Sequence, residues 1–357
     1  MKKVLFISLT LSDGGAERVV SVLSSRLAEW GFPVSVILYE RREKEYPISE
    51  KLEIHVLPAV KGSNKFSRLW NRIHELKRLI RQQDPDVIIP FLAQPMMDAW
   101  LASRGTHADY VATVRNNPQM YPGNARLRRL VNLITRYADG IILQTEAQRC
   151  FFPQRTWKKC FVLPNPIEEL MLQSECRYAD DIHRIITCGR LNPQKNHRLL
   201  VDAFSIVVKE HPYLTLQIYG DGDESERLEQ YIRERGLSES VRLMGRTERV
   251  NEVLMEGDLF VLSSDYEGMP NALMEAMTVG LPCISTNCPT GPADLIVHGE
   301  NGLLVDCGNL DQLIIAMKYA VEHPEKMHEM GKKARELMRN SFTPDRIASR
   351  FMAHFIE

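Results

Sequence analysis

Short apolar runs alternate with helix-length segments, and they do so in both halves of a 357-residue chain. In the first half, Val4 to Leu9, Val34 to Leu38, Val87 to Phe91, Val111 to Val114, Gly140 to Leu143 and Phe161 to Pro164 read as strands. In the second, Arg184 to Cys188, Leu214 to Tyr219, Val241 to Met244, Leu259 to Leu262 and Cys283 to Ser285 continue the pattern. Helices are expected at 16–30, 197–209 and 224–235, the last stopped by Gly236. Such alternation predicts parallel sheets covered by helices, an α/β fold. Single cores rarely grow past roughly 250 residues, so two domains are expected. Pro164 to Glu169 and the polar stretch to Asp181 read as the linker. The expected division is 1–168, 169–341, and a last helix within 342–357. Two open sheets place a cleft between their strand ends, where ligands of such sheets bind.

The net charge of −1 hides an asymmetry. Residues up to Glu168 hold about 25 Lys and Arg against about 16 acids, and the remainder about 20 against about 30. Lys61, Lys65, Arg68, Arg72, Lys77, Arg78 and Arg81 face one acid, Glu75, in a stretch with Leu69, Ile73, Leu76 and Ile80 at helical spacing. A second basic helix spans Arg126 to Arg136. These helices either lie on an anionic membrane surface or present solvated basic faces. No recognition motif accompanies the charge, so nucleic acid is not expected as a partner. No apolar run approaches the roughly 20 residues that span a bilayer. Met1-Lys2-Lys3 leads straight into an apolar run too short for a secretory signal, and a cytosolic protein is expected. The seven cysteines lack the paired spacing of a zinc site and are expected to be reduced thiols.

Asp265-Tyr-Glu-Gly-Met-Pro-Asn-Ala-Leu-Met-Glu275 carries the most chemistry. Glu267 and Glu275 bracket a strand-to-helix turn, with Pro270 expected at the first helical position. The amides of Asn271, Ala272 and Leu273 then point out of a helix start, which attracts phosphate. The Glu-x7-Glu spacing, with Gly268 after the first Glu, resembles the signature of retaining glycosyltransferases of family 4. The resemblance implies the GT-B fold, two Rossmann-like domains facing across a cleft, and it covers nearly the whole chain, most specifically 184–305. It also implies that the last helix, about Pro344 to Phe355, crosses back to the first domain.

Other segments fit the same family. Gly189-Arg190-Leu-Asn-Pro-Gln-Lys195-Asn196 resembles its Gly-Arg-Leu…Lys-Asn motif. Two cations some five residues apart beside a helix start can neutralise a leaving diphosphate. Ser12-Asp-Gly-Gly-Ala-Glu-Arg18 resembles the family's first loop, which places Gly15 toward the donor diphosphate and Glu17 and Arg18 near the acceptor. A plain glycine turn with both charges solvated is the alternative. Tyr219-Gly-Asp-Gly-Asp-Glu224 offers Asp221 and Asp223 either as ligands for a divalent metal or as turn residues, with Asp a natural N-cap. The resemblance places this turn, with Gly220, near the nucleotide base and implies no metal. Arg246 is expected to border the base as well. Many family members carry a histidine where this chain has Arg115, Asn116 and Asn117. Asn116 either bonds a sugar hydroxyl or is ordinary loop chemistry before Pro118. Thr290 to Asp294 and Asn301 to Val305 fit family positions read as architecture.

The function this implies is transfer of a hexose or N-acetylhexosamine from a nucleotide-diphosphate sugar, a UDP-sugar, to a glycan or lipid-linked acceptor in bacterial surface-glycan assembly. No cofactor beyond the donor is implied. Arg190, Lys195 and Glu267 are the expected catalytic residues. Glu275, Met269, Pro270, Gly268 and the amides of 271–273 are the expected donor site. A lipid-linked acceptor would bring a cytosolic enzyme to the inner face of the membrane. Alternatives are another GT-B enzyme, such as a nucleotide-sugar 2-epimerase, and a non-enzymatic sugar-binding protein.

Overall fold

A computed structural model describes residues 1–12, 14–59 and 64–355 of the chain. Asp13 of the first glycine loop and Lys61 of the basic stretch lie outside the described residues. The chain divides into two compact units, one of residues 1–166 with the segment from Pro344 onward, the other Ile167–Thr343.

The first unit's strands are β1 (Val4–Ser8), β2 (Val34–Leu38), β3 (Glu53–Val56), β4 (Val87–Pro90), β5 (Asp109–Thr113), β6 (Gly140–Leu143) and β7 (Cys160–Val162). They form one sheet in the order β3-β2-β1-β4-β5-β6-β7, every pairing parallel. Its helices are α1 (Gly15–Glu29), α2 (Lys65–Gln83), α3 (Ala93–Ala102) and α4 (Ala125–Tyr137). The second unit contributes α5 (Glu169–Gln173), β8 (Arg184–Cys188), α6 (His197–Glu210), β9 (Thr215–Tyr219), α7 (Ser225–Glu234), β10 (Val241–Gly245) and α8 (Val250–Glu256). It continues with β11 (Leu259–Leu262), α9 (Asn271–Val279), β12 (Cys283–Asn287), α10 (Pro292–Leu295), β13 (Leu303–Asp306), α11 (Leu310–Glu322) and α12 (Pro324–Ser341). These six strands also pair in parallel, in the order β10-β9-β8-β11-β12-β13. Counted within each unit the order is 3-2-1-4-5-6, with a seventh strand beyond it in the first, and it reverses between the first and fourth strands to leave a crevice at their carboxyl ends.

Both sheets are sandwiched. In the first unit, alternate strand residues feed two cores. Leu5, Ile7, Ile88 and Ile141 pack under α2, α3 and α4, while Val4, Phe6, Val36 and Ile89 pack under α1 and α13 (Pro344–Phe355). Burial on both faces is why β1 and β2 read as near-continuous apolar runs, broken only by the buried Ser8 and Ser35. The strand β3, Glu-Ile-His-Val, pairs only with β2, and its outer residues Glu53 and Val56 are exposed. A half-polar edge strand has no such run, so the sequence pattern passes over it. The edge strand β13 is likewise missing from the expected strands. Elsewhere the expected strands and helices agree with the structure to within a residue or two.

The segment expected as a linker differs. Ile167 and Met171 are buried in the second unit's core, and the Cys176 amide donates to the Val279 carbonyl at 2.8 Å. Its polar side chains disguise an apolar pair four residues apart. Pro270 also differs: it is the N-cap of α9, with ψ 102°, and Asn271 is the first helical residue. The turn before α7 is capped at Glu224 without a side-chain bond, so neither Asp221 nor Asp223 is the expected N-cap.

That turn has a different cause. Gly220 has φ 142°, and a Cβ there would sit 1.9 Å from the Gly189 carbonyl oxygen; one on Gly222 would sit 2.3 Å from that of Leu191. The Leu191 amide donates to the Asp221 carbonyl at 2.7 Å, and the Glu224 amide to that of Leu191 at 2.9 Å. Backbone packs directly on backbone, which only glycine allows. Gly220→Ala is expected to lower the second unit's stability by about 3 kcal/mol, as strain and clash combine. Gly236→Ala, with φ 67° and nothing within 4 Å of the new methyl, should cost about 1 kcal/mol. Urea denaturation of both variants measures the difference, and equal losses would contradict the packing argument.

Candidate functional site

The residues singled out in the second half gather at the carboxyl ends of β8 and β11, the neighbours between which strand order reverses. The loop after β8 carries Arg190, Gln194 and Lys195; the loop after β11 carries Ser264, Asp265 and Glu267. Four side-chain donors and one amide lace the loops together. Lys195 Nζ lies 2.7 Å from Glu267 Oε1. Gln194 Nε2 donates to the Tyr266 carbonyl at 2.9 Å and to Glu267 Oε2 at 3.3 Å. Ser263 Oγ donates to the Lys195 carbonyl at 2.9 Å, and Asn196 Nδ2 to Asp265 Oδ1 at 2.8 Å. The Asp265 amide donates to the Gln194 carbonyl at 2.9 Å.

Glu267 is buried, and its carboxylate also accepts from Ser264 Oγ at 2.7 Å. Thr290 Oγ1 donates to its backbone carbonyl. Gly291, with φ 99°, presses on the same turn, since a Cβ there would lie 2.6 Å from the Gly268 oxygen. Thr290 and Gly291, expected as architecture, thus brace the loop that carries Glu267. Ser264 and Gln194 were not anticipated as site residues. Polar residues beside a strand end and a lysine carry no signal until the two loops are known to be neighbours.

Met274 N–H donates to the Pro270 carbonyl at 3.1 Å, the first bond of α9. The amides of Ala272 and Leu273 therefore have no carbonyl of their own helix to bond. Glu275 is buried one turn into the helix, while Arg190 is exposed at the mouth of the β8 loop. Gly220 touches the Gly189 backbone, and Arg246 follows the end of β10 on the surface. Two cations, a helix start and two buried carboxylates suit a ligand with adjacent negative charges and hydroxyl groups at its ends. Asp221 and Asp223 are exposed. Among the described residues no three His, Cys, Asp or Glu side chains stand close enough to hold a metal.

In the first unit, Gly15 opens α1, and Glu17 folds back over that helix start, so that a Cβ on Gly14 would meet its carboxylate at 2.1 Å. Arg18 stacks over Tyr46 with its guanidinium carbon 5.4 Å from the ring centre. The Asn116 Oδ1 accepts from the Asn117 amide at 2.7 Å, and the Asn116 carbonyl from Gln148 Nε2 at 3.3 Å.

Two family models match the chain: Glycosyltransferase Family 4 over residues 13–169 and Glycosyl transferases group 1 over 178–337. The amylovoran biosynthesis glycosyltransferase AmsD of Erwinia amylovora is 27% identical over 312 residues, 85% of this chain and 86% of its own. The Campylobacter jejuni N-acetylgalactosamine-N,N'-diacetylbacillosaminyl-diphospho-undecaprenol 4-alpha-N-acetylgalactosaminyltransferase is 28% identical over 365 residues, 98% of each chain. Among solved structures, Anabaena HepE in complex with UDP-glucose superposes with a TM-score of 0.84 at 18% identity, over 99% of both chains. TarM does so with 0.83 at 14% identity, over 100% of this chain and 99% of its own. These likenesses show the GT-B fold.

Removing one member of the Lys195–Glu267 pair leaves a buried charge. Lys195→Met or Glu267→Gln is expected to lower stability by about 2–4 kcal/mol, and the double variant by less than the two losses together. Urea titration of the three variants measures this; strict additivity would mean the ion pair carries no coupling. His197, buried at the start of α6, has its pKa lowered to about 4 by burial and then by Lys195. The unfolded chain therefore takes up this proton first as pH falls. About 3 kcal/mol of stability should be lost between roughly pH 6.5 and pH 4. His197→Gln should flatten the stability profile across that window.

Proposed function

We propose that this chain, which belongs to the family 4 glycosyltransferases and carries their group 1 domain in its second half, moves a hexose or N-acetylhexosamine from a UDP-sugar to a glycan acceptor in bacterial surface-polysaccharide or glycoconjugate assembly, with retention at the anomeric carbon. The transferase activity itself, of class EC 2.4, follows from the family. The single observation that carries the finer reading is the set of Arg190, Lys195 and the α9 start around Glu267 at the sheet's switch point. It is supported by relatives named for amylovoran biosynthesis and for a diphospho-undecaprenol acceptor, and by a neighbour of the same fold solved with UDP-glucose.

In this reading the bond from the anomeric carbon to the donor phosphate breaks, and its electron pair leaves on the diphosphate. Arg190, Lys195 and the amides at the α9 start stabilise that growing charge. They supply the positive field that a divalent metal gives in other transferases. Glu267 holds hydroxyls of the departing sugar, and Glu275 takes the ribose diol. The acceptor hydroxyl adds on the face the phosphate leaves, and its proton passes to the phosphate oxygen. Because Lys195 and Glu267 are already bonded to each other, each meets the ligand in a fixed rotamer, so little ordering remains to be done on binding.

The acceptor reaches the first unit from an anionic membrane surface. The helices α2, α3 and α4 cover one face of the first sheet. Phe66 and Trp70 of α2 are 76% and 65% exposed beside Lys65 and Arg68. The outer stripe of α4 carries Leu130, Leu133 and Tyr137 between Arg126, Arg129 and Arg136, and the helix holds no acid. Apolar groups interleaved with cations suit an interface with anionic headgroups. Among the described residues no helix is long and apolar enough to cross a membrane.

Arg190→Ala and Glu267→Gln should each lower kcat by about a hundredfold or more in a UDP-sugar hydrolysis or transfer assay, the range seen when a group stabilising transition-state charge is lost. Near-wild-type rates would refute those roles. The protein should float with phosphatidylglycerol vesicles in low salt and be released by high salt. Trp70→Ser with Leu133→Ser should weaken flotation, and a wild-type protein that stays in solution removes the membrane docking.

A further inference from the structure

Arg115, one of the residues standing near where many family members carry a histidine, follows β5 in the first unit. Its Nη2 donates to Asn165 Oδ1 at 2.7 Å, and Gln144 Nε2 shares that acceptor at 2.9 Å. The guanidinium carbon lies 5.0 Å from the centre of the Phe91 ring. Solvent does not reach Arg115 Nε or Nη1, and neither has a hydrogen-bond partner. Gln144 Oε1 and Thr145 Oγ1, at the end of the neighbouring strand β6, are buried and unpartnered as well. Among the described residues no carboxylate is bonded to Arg115, and burial pulls the pKa of its guanidinium down to about 9. A buried cation without a counter-charge is costly, and orphaned polar atoms clustered at strand ends call for a ligand that completes them.

A second observation comes from the backbone beside it. Leu92, two residues after β4, has φ 71° and ψ 162°, a conformation close to glycine's own territory. Leu92 stands at the switch point of the first sheet, between β1 and β4, the place where open sheets bind ligands. A pocket opens there, lined by Leu92, Met96, Arg115, Tyr121 and Val131. Strain, a pocket and an uncompensated cation thus coincide at one end of one sheet.

We propose that Arg115 is the anion-holding residue of an acceptor subsite in the first unit, and that it takes a negatively charged oxygen group, a phosphate or a carboxylate, carried by the acceptor. This rests on the glycosyltransferase reading above. The guanidinium supplies the charge through its two open N–H positions, and the apolar pocket wall receives the neighbouring part of the acceptor. Entry requires the turn at Leu92 to relax, and a residue already held in strain loses least by moving.

The test titrates protein saturated with UDP, so that the donor's phosphate site is filled. Glycerol 3-phosphate and glucuronate serve as the anionic probes and glucose as the neutral control, followed by calorimetry. At least one anion should bind tenfold or more tightly than glucose. Phosphate alone binding assigns a phosphate-bearing acceptor, and glucuronate alone an acidic sugar. Arg115→Met should weaken that binding at least tenfold, with Arg115→Lys retaining part of it. Because the substitution removes a buried charge, its Tm should equal or exceed the parent's, and its Kd for UDP should not change. The proposal is overturned if neither anion binds, if both bind the Met variant as well as the parent, or if the variant loses Tm while keeping anion binding. A change in UDP affinity as large as that for the anion would also overturn it, by making Arg115 a donor contact. Failure of the parent protein to bind UDP would instead sink the donor-site reading, which makes the two failures separable.

Discussion

The ion pair between Lys195 Nζ and Glu267 Oε1, 2.7 Å long and joining residues 72 apart in sequence, is the constraint on which the second unit's site depends. Its partners hang from β8 and β11, the two strands between which the order reverses. Connections there lead away in opposite directions, so the strands alone do not hold their loops together. The pair does, with Gln194, Ser263 and Asn196 bridging the same gap. Mostly shielded from water, the attraction is little screened, and the two charges support each other only while both loops keep their places.

Glycine and threonine form a second tier behind it. Gly220 and Gly222 let the β9 loop lie on the backbone of the β8 loop, and Gly291 lets the β12 loop lie on the Gly268 turn. Thr290 bonds the Glu267 carbonyl itself. The catalytic candidates are thus set by contacts among main chains, which change less than side-chain rotamers do. This is the kind of support that holds a ligand-binding geometry fixed before the ligand arrives.

How much of this was legible in the sequence follows from what each residue must do. Central strands such as β1 and β11 are buried on both faces and announce themselves as apolar runs. The edge strands β3 and β13 are half exposed and do not. Glu267, Glu275, Arg190 and Lys195 stand out because, beside strand-to-helix turns, their spacing resembles the family's Glu-x7-Glu and Gly-Arg-Leu…Lys-Asn motifs. Their mutual pairing was hidden, since proximity across strands depends on sheet order. Gln194 and Asn165 are ordinary polar residues whose partners lie far along the chain, and Ser264 bonds Glu267 three residues on through a loop that no local pattern marks. Arg115 was noticed only as a departure from histidine; its missing counter-charge is a property of the folded neighbourhood. The segment after Ile167 misled because two buried apolar residues sit among many polar ones.

The helix α13 has a consequence for how this protein comes off the ribosome. Ile347, Ala348, Phe351 and Phe355 complete the core that begins at Val4 and Phe6, with the Phe6 and Phe351 rings 5.7 Å apart and Arg26 bound to Asp345 at 2.9 Å. The second unit, in contrast, is one continuous stretch. Domains usually fold in order of their emergence during synthesis. Here the half translated first must wait, one flank of its sheet uncovered, while some 180 intervening residues are made and folded. Nascent chains stalled before residue 344 should therefore hold a finished second half and an unfinished first one, the natural target for a chaperone that recognises apolar surface.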